Sequence, residues 1–283
     1  MSAVSFEGVS KIYGARVGEA AALLAAGLGK AQVLERTGCV AALHDVSLNV
    51  AAGEFFVVMG RSGSGKSTLL RAINRLVEPS AGRVRVGGTD VGALSAAQLT
   101  HFRKTGVSMV FQHFGLLPHK TVLDNVAFPL ILQDVPEAAA RERARVWLSR
   151  VNLQDYALAM PGALSSGMQQ RVGLARALIT EAPLLLMDEP FAALDPLTRM
   201  DMQDEVLRLK ADFKKTVVMI SHDPAEAVRL ADRVAILHEG RLAQVGTLDE
   251  LTARPASVDV AAFVRGFAPG VVHLRPGRSV RPR

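Results

Sequence analysis

The sequence predicts an α/β fold: a mainly parallel sheet core, an N-terminal antiparallel β-subdomain and an inserted α-helical subdomain. Three observations carry that reading. Short continuous apolar runs at 54–59, 107–111, 184–187, 217–220 and 234–237 are separated by helical patterns, and such strands are buried on both faces by crossover helices. Segments 2–6, 44–50 and 83–86 alternate better and sit beside turn-like glycine pairs, which suits a smaller antiparallel sheet. Between 118 and 179 helical periodicity replaces the strands.

In chain order, the first helical stretch is residues 19–36, rich in Ala and Leu, broken at Gly27-Leu28-Gly29 and set in an insert at about 15–38. The apolar run 54–59 then leads into Gly60-Arg61-Ser62-Gly63-Ser64-Gly65-Lys66-Ser67-Thr68, which fits the phosphate-loop pattern G-x-x-x-x-G-K-[ST]. Beyond it Leu69, Leu70, Ile73 and Leu76 recur at helical spacing, with Arg71 and Arg75 between them. Strand, loop and helix together form an anion site. Glycines let several N–H groups point inward, so a β-phosphate can sit at the positive end of the helix. Lys66 then reaches the β- and γ-phosphates, and the Ser67 hydroxyl can join a Mg²⁺ shell. The core is therefore expected to be a phosphate-loop NTPase (RecA-like) sheet.

Further on, Pro136-Glu137 opens a helix whose apolar positions are Ala140, Ala144, Val146, Leu148 and Val151, inside a helical subdomain at about 118–179. One nucleotide-binding domain over 1–254 is expected. From Pro255 order is expected to decline, so that 255–283 forms an extension ending in a flexible basic tail, without room for further regulatory domains.

Composition narrows the function classes. Of 283 residues, 49% are hydrophobic, enough for a large core and too many for a disordered chain. No apolar run reaches the roughly 18 residues that cross a bilayer, and the N-terminus lacks a signal-peptide pattern. The lone Cys39 cannot form an internal disulfide, so a reducing, cytoplasmic setting is expected. The net charge of +6 owes four charges to Arg275, Arg278, Arg281 and Arg283 in the tail. With one Trp and two Tyr and no basic stripe between aromatics, a specific nucleic-acid site is not expected.

Two more constellations bear on chemistry. Residues 184–187 end in Asp188-Glu189-Pro190: a strand-end acid beside the phosphate loop suits Mg²⁺, while Glu189, one residue on, points elsewhere and can orient or deprotonate a water attacking the γ-phosphate. Leu164-Ser165-Ser166-Gly167-Met168-Gln169-Gln170 precedes a helix with apolar Val172, Leu174, Ala175 and Leu178. Ser165 is a normal N-cap there, and a capped helix start with a nearby Gly also offers N–H groups to an anion.

That segment resembles the signature motif of ATP-binding cassette (ABC) proteins, usually written L-S-G-G-Q, and it stands before Asp188 as in that family. The resemblance spans roughly residues 3–250 and implies further roles. Gln112 matches the Q-loop residue that senses Mg²⁺ and the attacking water, Asp195 the D-loop, His222 the switch histidine on the γ-phosphate, and Tyr13 the aromatic residue that stacks on adenine. It implies a nucleotide site of Tyr13, Gly60, Ser62, Gly63, Gly65, Lys66, Ser67, Thr68, Gln112, Ser165, Gly167, Asp195 and His222. Metal contacts would come from Ser67, Gln112 and Asp188, and catalysis from Glu189, His222, Gln112 and Lys66. Ser166 departs from the pattern, which has Gly there, and Met168 stands where Gln is common; a small hydroxyl able to donate to phosphate is expected to be tolerated.

The insert at about 18–38, with Arg75-Leu76-Val77-Glu78-Pro79, Met109-Val110-Phe111-Gln112, Leu117-Pro118-His119 and Ala193-Leu194-Asp195-Pro196-Leu197, resembles one branch: the ATPases of quaternary-amine uptake systems for glycine betaine, proline betaine or choline. Members often carry paired CBS domains, which this chain is too short to hold. Related members import histidine or trimethylamine N-oxide. The resemblance implies ATP and Mg²⁺ as cofactors and a head-to-tail homodimer in which Lys66 of one copy and Ser165 of the other share each ATP. It also implies an integral membrane permease, an indirect partnership with a secreted substrate-binding protein, and a peripheral place on the cytoplasmic face of the bacterial inner membrane. Two rival readings are a soluble ABC ATPase acting on nucleic acid or ribosomes and, because of Ser166, a non-hydrolysing binding module.

Overall fold

The computed structural model describes residues 2–112, 114–192, 194–213 and 215–265, the side chains of 209–213 excepted. Tail residues Arg275, Arg278, Arg281 and Arg283, and Ala193 of the D-loop segment, lie outside them.

The chain opens with β1 (Ser2–Tyr13), whose inward residues Val4, Phe6, Val9 and Ile12 are buried. The insert follows as α1 (Val17–Ala25) and α2 (Lys30–Thr37), which Gly38 ends in the left-handed conformation. Ala20, Leu24 and Val33 of these helices pack with Ile12, Cys39 and Ala41, so the insert is seated on the ends of β1 and β2 (Val40–Ala51). β3 (Phe55–Met59) leads through the glycine loop into α3 (Lys66–Ile73). β4 (Ala81–Val86) and β5 (Thr89–Asp90) complete an antiparallel sheet of order β2-β1-β4-β5.

α4 (Ala96–Thr105), capped by Ser95 and Gln98, precedes β6 (Val107–Val110). The helical subdomain comprises α5 (Val122–Leu132), α6 (Glu137–Arg150) and α7 (Ser166–Leu178). β7 (Leu184–Asp188), α8 (Pro196–Phe213), β8 (Thr216–Ile220), α9 (Pro224–Leu230) and β9 (Arg233–His238) return the chain to the main sheet. β10 (Arg241–Gly246), α10 (Leu248–Ala253) and α11 (Val258–Val264) close it. Among the described residues the main sheet has order β10-β9-β3-β8-β7-β6, parallel throughout except for the β9–β10 hairpin.

β3 shows why a parallel strand reads as an unbroken apolar run. Phe55, Val57 and Met59 face the core shared with the helical subdomain, while Phe56 and Val58 face the core shared with the antiparallel sheet. Alternate side chains enter opposite layers, and both layers are dry.

The expected fold class is the one found, with local corrections. α3 ends at Ile73: the Asn74 side chain accepts from the Leu76 N–H, Arg75 takes φ 53°, and Leu76 is left 51% exposed. In α6 the buried stripe is Ala140, Ala144, Trp147 and Leu148, while Val146 falls on the solvent side. Order continues past Pro255: Ser257 caps α11, and Val260 and Val264 are buried. β10 was not expected. It pairs through the two-residue turn Glu239-Gly240, whose φ values of 46° and 77° are those of a type I′ hairpin.

Candidate functional site

The loop between β3 and α3 is shaped by what surrounds it. At Gly60 (φ 151°) a Cβ would come within 2.2 Å of the Leu237 carbonyl oxygen, and at Gly65 (φ 101°) within 2.4 Å of the Ala42 carbonyl oxygen. Neither place admits a side chain. The β9–β10 turn braces the loop from outside: the Gly240 N–H donates to the Ser64 carbonyl at 3.1 Å, and the Gly240 carbonyl accepts from the His44 N–H at 2.8 Å. Lys66, at the start of α3, is almost fully buried, and its ammonium donates to the carbonyls of Gly60 (2.9 Å) and Arg61 (3.2 Å). Burial pulls its pKa down, and the nearby carboxylates of Glu189 and Asp188 partly restore it.

An open cavity of about 540 Å³ lies over this loop. Its walls include Ser62, Gly63, Ser64, Gly65, Lys66, Ser67 and Thr68, together with Tyr13, Val40, Glu189 and His222. Lys66, Ser67 and Thr68 form the first turn of α3, whose N–H groups have no preceding turn to bond and so are available to an anion. Ser64 Oγ is buried without a hydrogen-bond partner among the described residues. Tyr13 is 42% exposed at the end of β1, with Lys11 Nζ 4.9 Å from its ring centroid. Such a ring can stack on a base.

The two acids that end β7 diverge. Asp188, 2% exposed, accepts from Ser67 Oγ at 3.2 Å through Oδ1 and pairs with Arg71 at 3.2 Å through Oδ2. Ser67 and Arg71 stand four residues apart, on one face of α3, which is why a single carboxylate reaches both. Glu189 turns away because its backbone takes φ 45°, an uncommon value for a residue with a side chain. Its Oε2 lies 3.2 Å from His222 Nδ1. A strained backbone that separates two adjacent carboxylates at a cavity is a mark of function.

For Mg²⁺ the donor set fits. The Ser67 hydroxyl, which lines the cavity, and the Asp188 carboxylate bonded to it are adjacent hard oxygens, and Mg²⁺ takes one or two protein oxygens together with phosphates. Among the described residues no cluster of three or more His, Cys, Asp or Glu could hold an ion by itself. A metal here would therefore arrive with the nucleotide.

Gln112, Ser165, Gly167 and Asp195 do not line this cavity. Gln112 is exposed just past β6. Ser165 caps α7, accepting from the Met168 N–H at 3.4 Å, and is exposed. Asp195 accepts from the Thr198 N–H at 3.1 Å ahead of α8, and that hydrogen bonding lowers its pKa. Gly167 is buried against α8, where a Cβ would stand 2.5 Å from Thr198 Cγ2. Ser166 is exposed in the first turn of α7 and is absent from the residues with positive φ, so the backbone makes no demand for glycine there.

Sequence reasoning missed four contributors: Arg71, Lys30, Ser221 and Glu226. Arg71 could have been found from its spacing to Ser67. Lys30 lines the cavity from the insert, a tertiary placement with no local signal. Ser221 and Glu226 flank His222: Ser221 Oγ donates to Glu226 Oε2 at 2.6 Å, and Arg199 pairs with Asp223 at 3.0 Å. Burial raises the pKa of Glu226.

The model of the family described as ABC transporter matches residues 43–192, more than half of the chain. The chain belongs to that family. Among curated proteins, this cassette is 49% identical over 256 residues to the glycine betaine/proline betaine transport ATP-binding protein ProV of Salmonella typhimurium, covering 90% of this chain and 64% of ProV. It is 50% identical over 229 residues to the trimethylamine N-oxide transport ATP-binding protein TmoW of Ruegeria pomeroyi, covering 80% of this chain and 66% of TmoW. The chain thus spans just under two thirds of the length of these relatives. Among solved structures, the ATP-binding cassette MJ0796, dimeric and bound to ADP and phosphate, superimposes with a TM-score of 0.73 at 33% identity, covering 86% of this chain and 98% of MJ0796. No helix among the described residues is long and apolar enough to cross a membrane.

Proposed function

We propose that this cassette binds ATP with Mg²⁺, hydrolyses it, and supplies that energy to an importer of a quaternary amine such as glycine betaine, proline betaine or choline. The observation that carries the chemistry is the split of Asp188 and Glu189: one carboxylate is bonded to Ser67 under the phosphate loop, the other paired with His222 on the cavity wall.

In this reading Tyr13 stacks on adenine, and Gly60, Ser62, Gly63, Gly65, Lys66, Ser67 and Thr68 hold the phosphate chain. Lys66 exchanges its bonds to the loop carbonyls for the β- and γ-phosphates. Ser67 and Asp188, with Gln112, would hold Mg²⁺, which when bound offsets charge on the β- and γ-oxygens. A water attacks the γ-phosphorus in line; its proton passes to Glu189, the bond from γ-phosphorus to the bridging oxygen breaks, and the electron pair leaves with ADP. His222 contacts the γ-phosphate and is oriented by Glu189.

Ser165, Gly167 and Asp195 complete the site from a second copy. Support comes from their position away from the cavity within one chain and from the dimeric MJ0796. A chain with one set of motifs makes two such sites by two-fold symmetry. An integral permease and a secreted binding protein would then complete the system on the cytoplasmic face of the membrane. The likeness to ProV supports a betaine as the first reading, and the TmoW likeness supports trimethylamine N-oxide as the second.

The test is Glu189→Gln. ATP binding should persist while turnover falls by on the order of a hundredfold or more; equal turnover in both proteins would remove Glu189 from the mechanism. Cargo is read separately, from which amine stabilises the cognate binding protein against heat.

A further inference from the structure

Lys30 is the first residue of α2, in the insert that precedes β2. It is half-buried and lines the same cavity as Tyr13 and the phosphate loop. Its placement is fixed by packing: the insert core of Ala20, Leu24 and Val33 is joined to Ile12 and Ala41, the neighbours of the cavity residues Tyr13 and Val40. Among the described residues its hydrogen bond is one long contact, 3.4 Å from Nζ to the Gly63 carbonyl oxygen, and it forms no ion pair. Burial lowers its pKa, and the charge of Glu239, on the turn that braces the loop, offsets part of that through space.

An ammonium has three donors, and one long bond to a carbonyl leaves most of its capacity unused. A partly desolvated cation without a close counter-ion is unfavourable until an anion arrives. The cavity it faces is lined by the phosphate loop and the first turn of α3, and Lys66, also in its lining, is already engaged with loop carbonyls. We infer that Lys30 is a second phosphate-binding lysine, contributed by the α1–α2 insert, which donates to a phosphate oxygen of the bound nucleotide. The insert thereby forms a wall of the nucleotide site. This rests on the reading of the cavity as that site.

The alternative is that Lys30 only clamps Gly63. The two roles separate by ligand charge. Binding of ATP, ADP and adenosine is measured with Lys30→Met and Lys30→Arg, by titration calorimetry for the nucleotides and ligand-observed NMR for adenosine. Lys30→Met should weaken ATP and ADP about tenfold, leave adenosine unchanged and flatten the salt dependence of ATP binding; Lys30→Arg should restore most of the loss. In turnover, the fall in kcat/KM should be carried by KM. The nucleotide-free melting temperature should stay within about 2 °C of the parent, as for a surface change. Equal losses for ATP and adenosine, or a lowered nucleotide-free melting temperature with no selective loss for ATP, would show a clamp and overturn the inference. Unchanged ATP binding would also overturn it. Lys66→Ala is the control: if that variant binds ATP normally, the cavity reading itself fails, whereas loss of binding there with Lys30→Met intact sinks only the role of Lys30.

Discussion

Alanine at Gly60 and at Gly63 should have very different costs, although both are glycines of one loop. At Gly60 the added Cβ meets the Leu237 carbonyl oxygen at 2.2 Å and Ser64 Oγ at 2.6 Å, with φ at 151°. Forcing a side chain into that backbone region costs about 1–3 kcal/mol. Displacing packed backbone costs about 1–3 kcal/mol more. The sum, roughly 2–6 kcal/mol, is a large share of the 5–15 kcal/mol that typically holds a domain together. At Gly63, φ is 74° and no atom lies within 4 Å of the added Cβ, so only the left-handed penalty of about 1–2 kcal/mol applies. Urea unfolding at constant temperature, followed by the fluorescence of Trp147, gives the difference. Gly60→Ala should also lose nucleotide affinity, because the oxygen it strikes belongs to β9, whose turn braces Ser64. If the two variants agree within about 0.5 kcal/mol, the limit for independent effects, the account of the loop as moulded by β9 is wrong.

Three further outcomes are expected. Asp188→Asn should bind ATP in EDTA like the parent but gain little from added Mg²⁺, where the parent gains about tenfold; an undiminished gain would place the metal elsewhere. Glu226→Gln keeps the bond from Ser221 and should be near neutral, whereas Glu226→Ala, which leaves Ser221 and a cavity, should cost about 2–4 kcal/mol. Because burial raises the folded pKa of Glu226 above 4.5, the folded state holds a proton longer, and the parent should lose stability relative to Glu226→Gln as pH climbs past that value. Lys215 titrates the other way. Burial lowers its pKa from 10.5 to about 8, so between those values the unfolded chain binds more protons and stability rises with pH. The parent should gain on Lys215→Met across that window in urea unfolding, and parallel pH profiles would refute it.

Much of the fold was legible because its signals are local. The run 55–59 has no polar residue, and the pairing of strand, glycine loop and helix is a matter of consecutive residues. Asp188 and Glu189 were separable in sequence because adjacent strand residues face opposite ways, and the positive φ at Glu189 widens that divergence. What stayed hidden depends on tertiary contact. Trp147 and Val146 are neighbours, and only the packing of α5 against α6 decides which is buried. The β9–β10 turn uses Glu239-Gly240, where Asn or Asp before Gly would have given a clear hairpin signal. Lys30 reaches the loop only because the insert folds onto β1 and β2. Gly167 reads as a phosphate contact in sequence, yet in the fold it is also the close approach of α7 to α8.

The central claim is that one chain holds only part of its nucleotide site, with Ser165, Gly167 and Asp195 supplied by a second copy. Analytical ultracentrifugation of Glu189→Gln tests it most directly. Without nucleotide the variant should sediment as a single chain of 30.2 kDa, and with ATP as a particle of about twice that mass. Adding Ser165→Arg, which places a bulky cation at the start of α7, should return it to the monomer while leaving ATP binding to the monomer intact. A variant that stays monomeric in saturating ATP, from a parent whose turnover per chain is independent of concentration, would contradict the account.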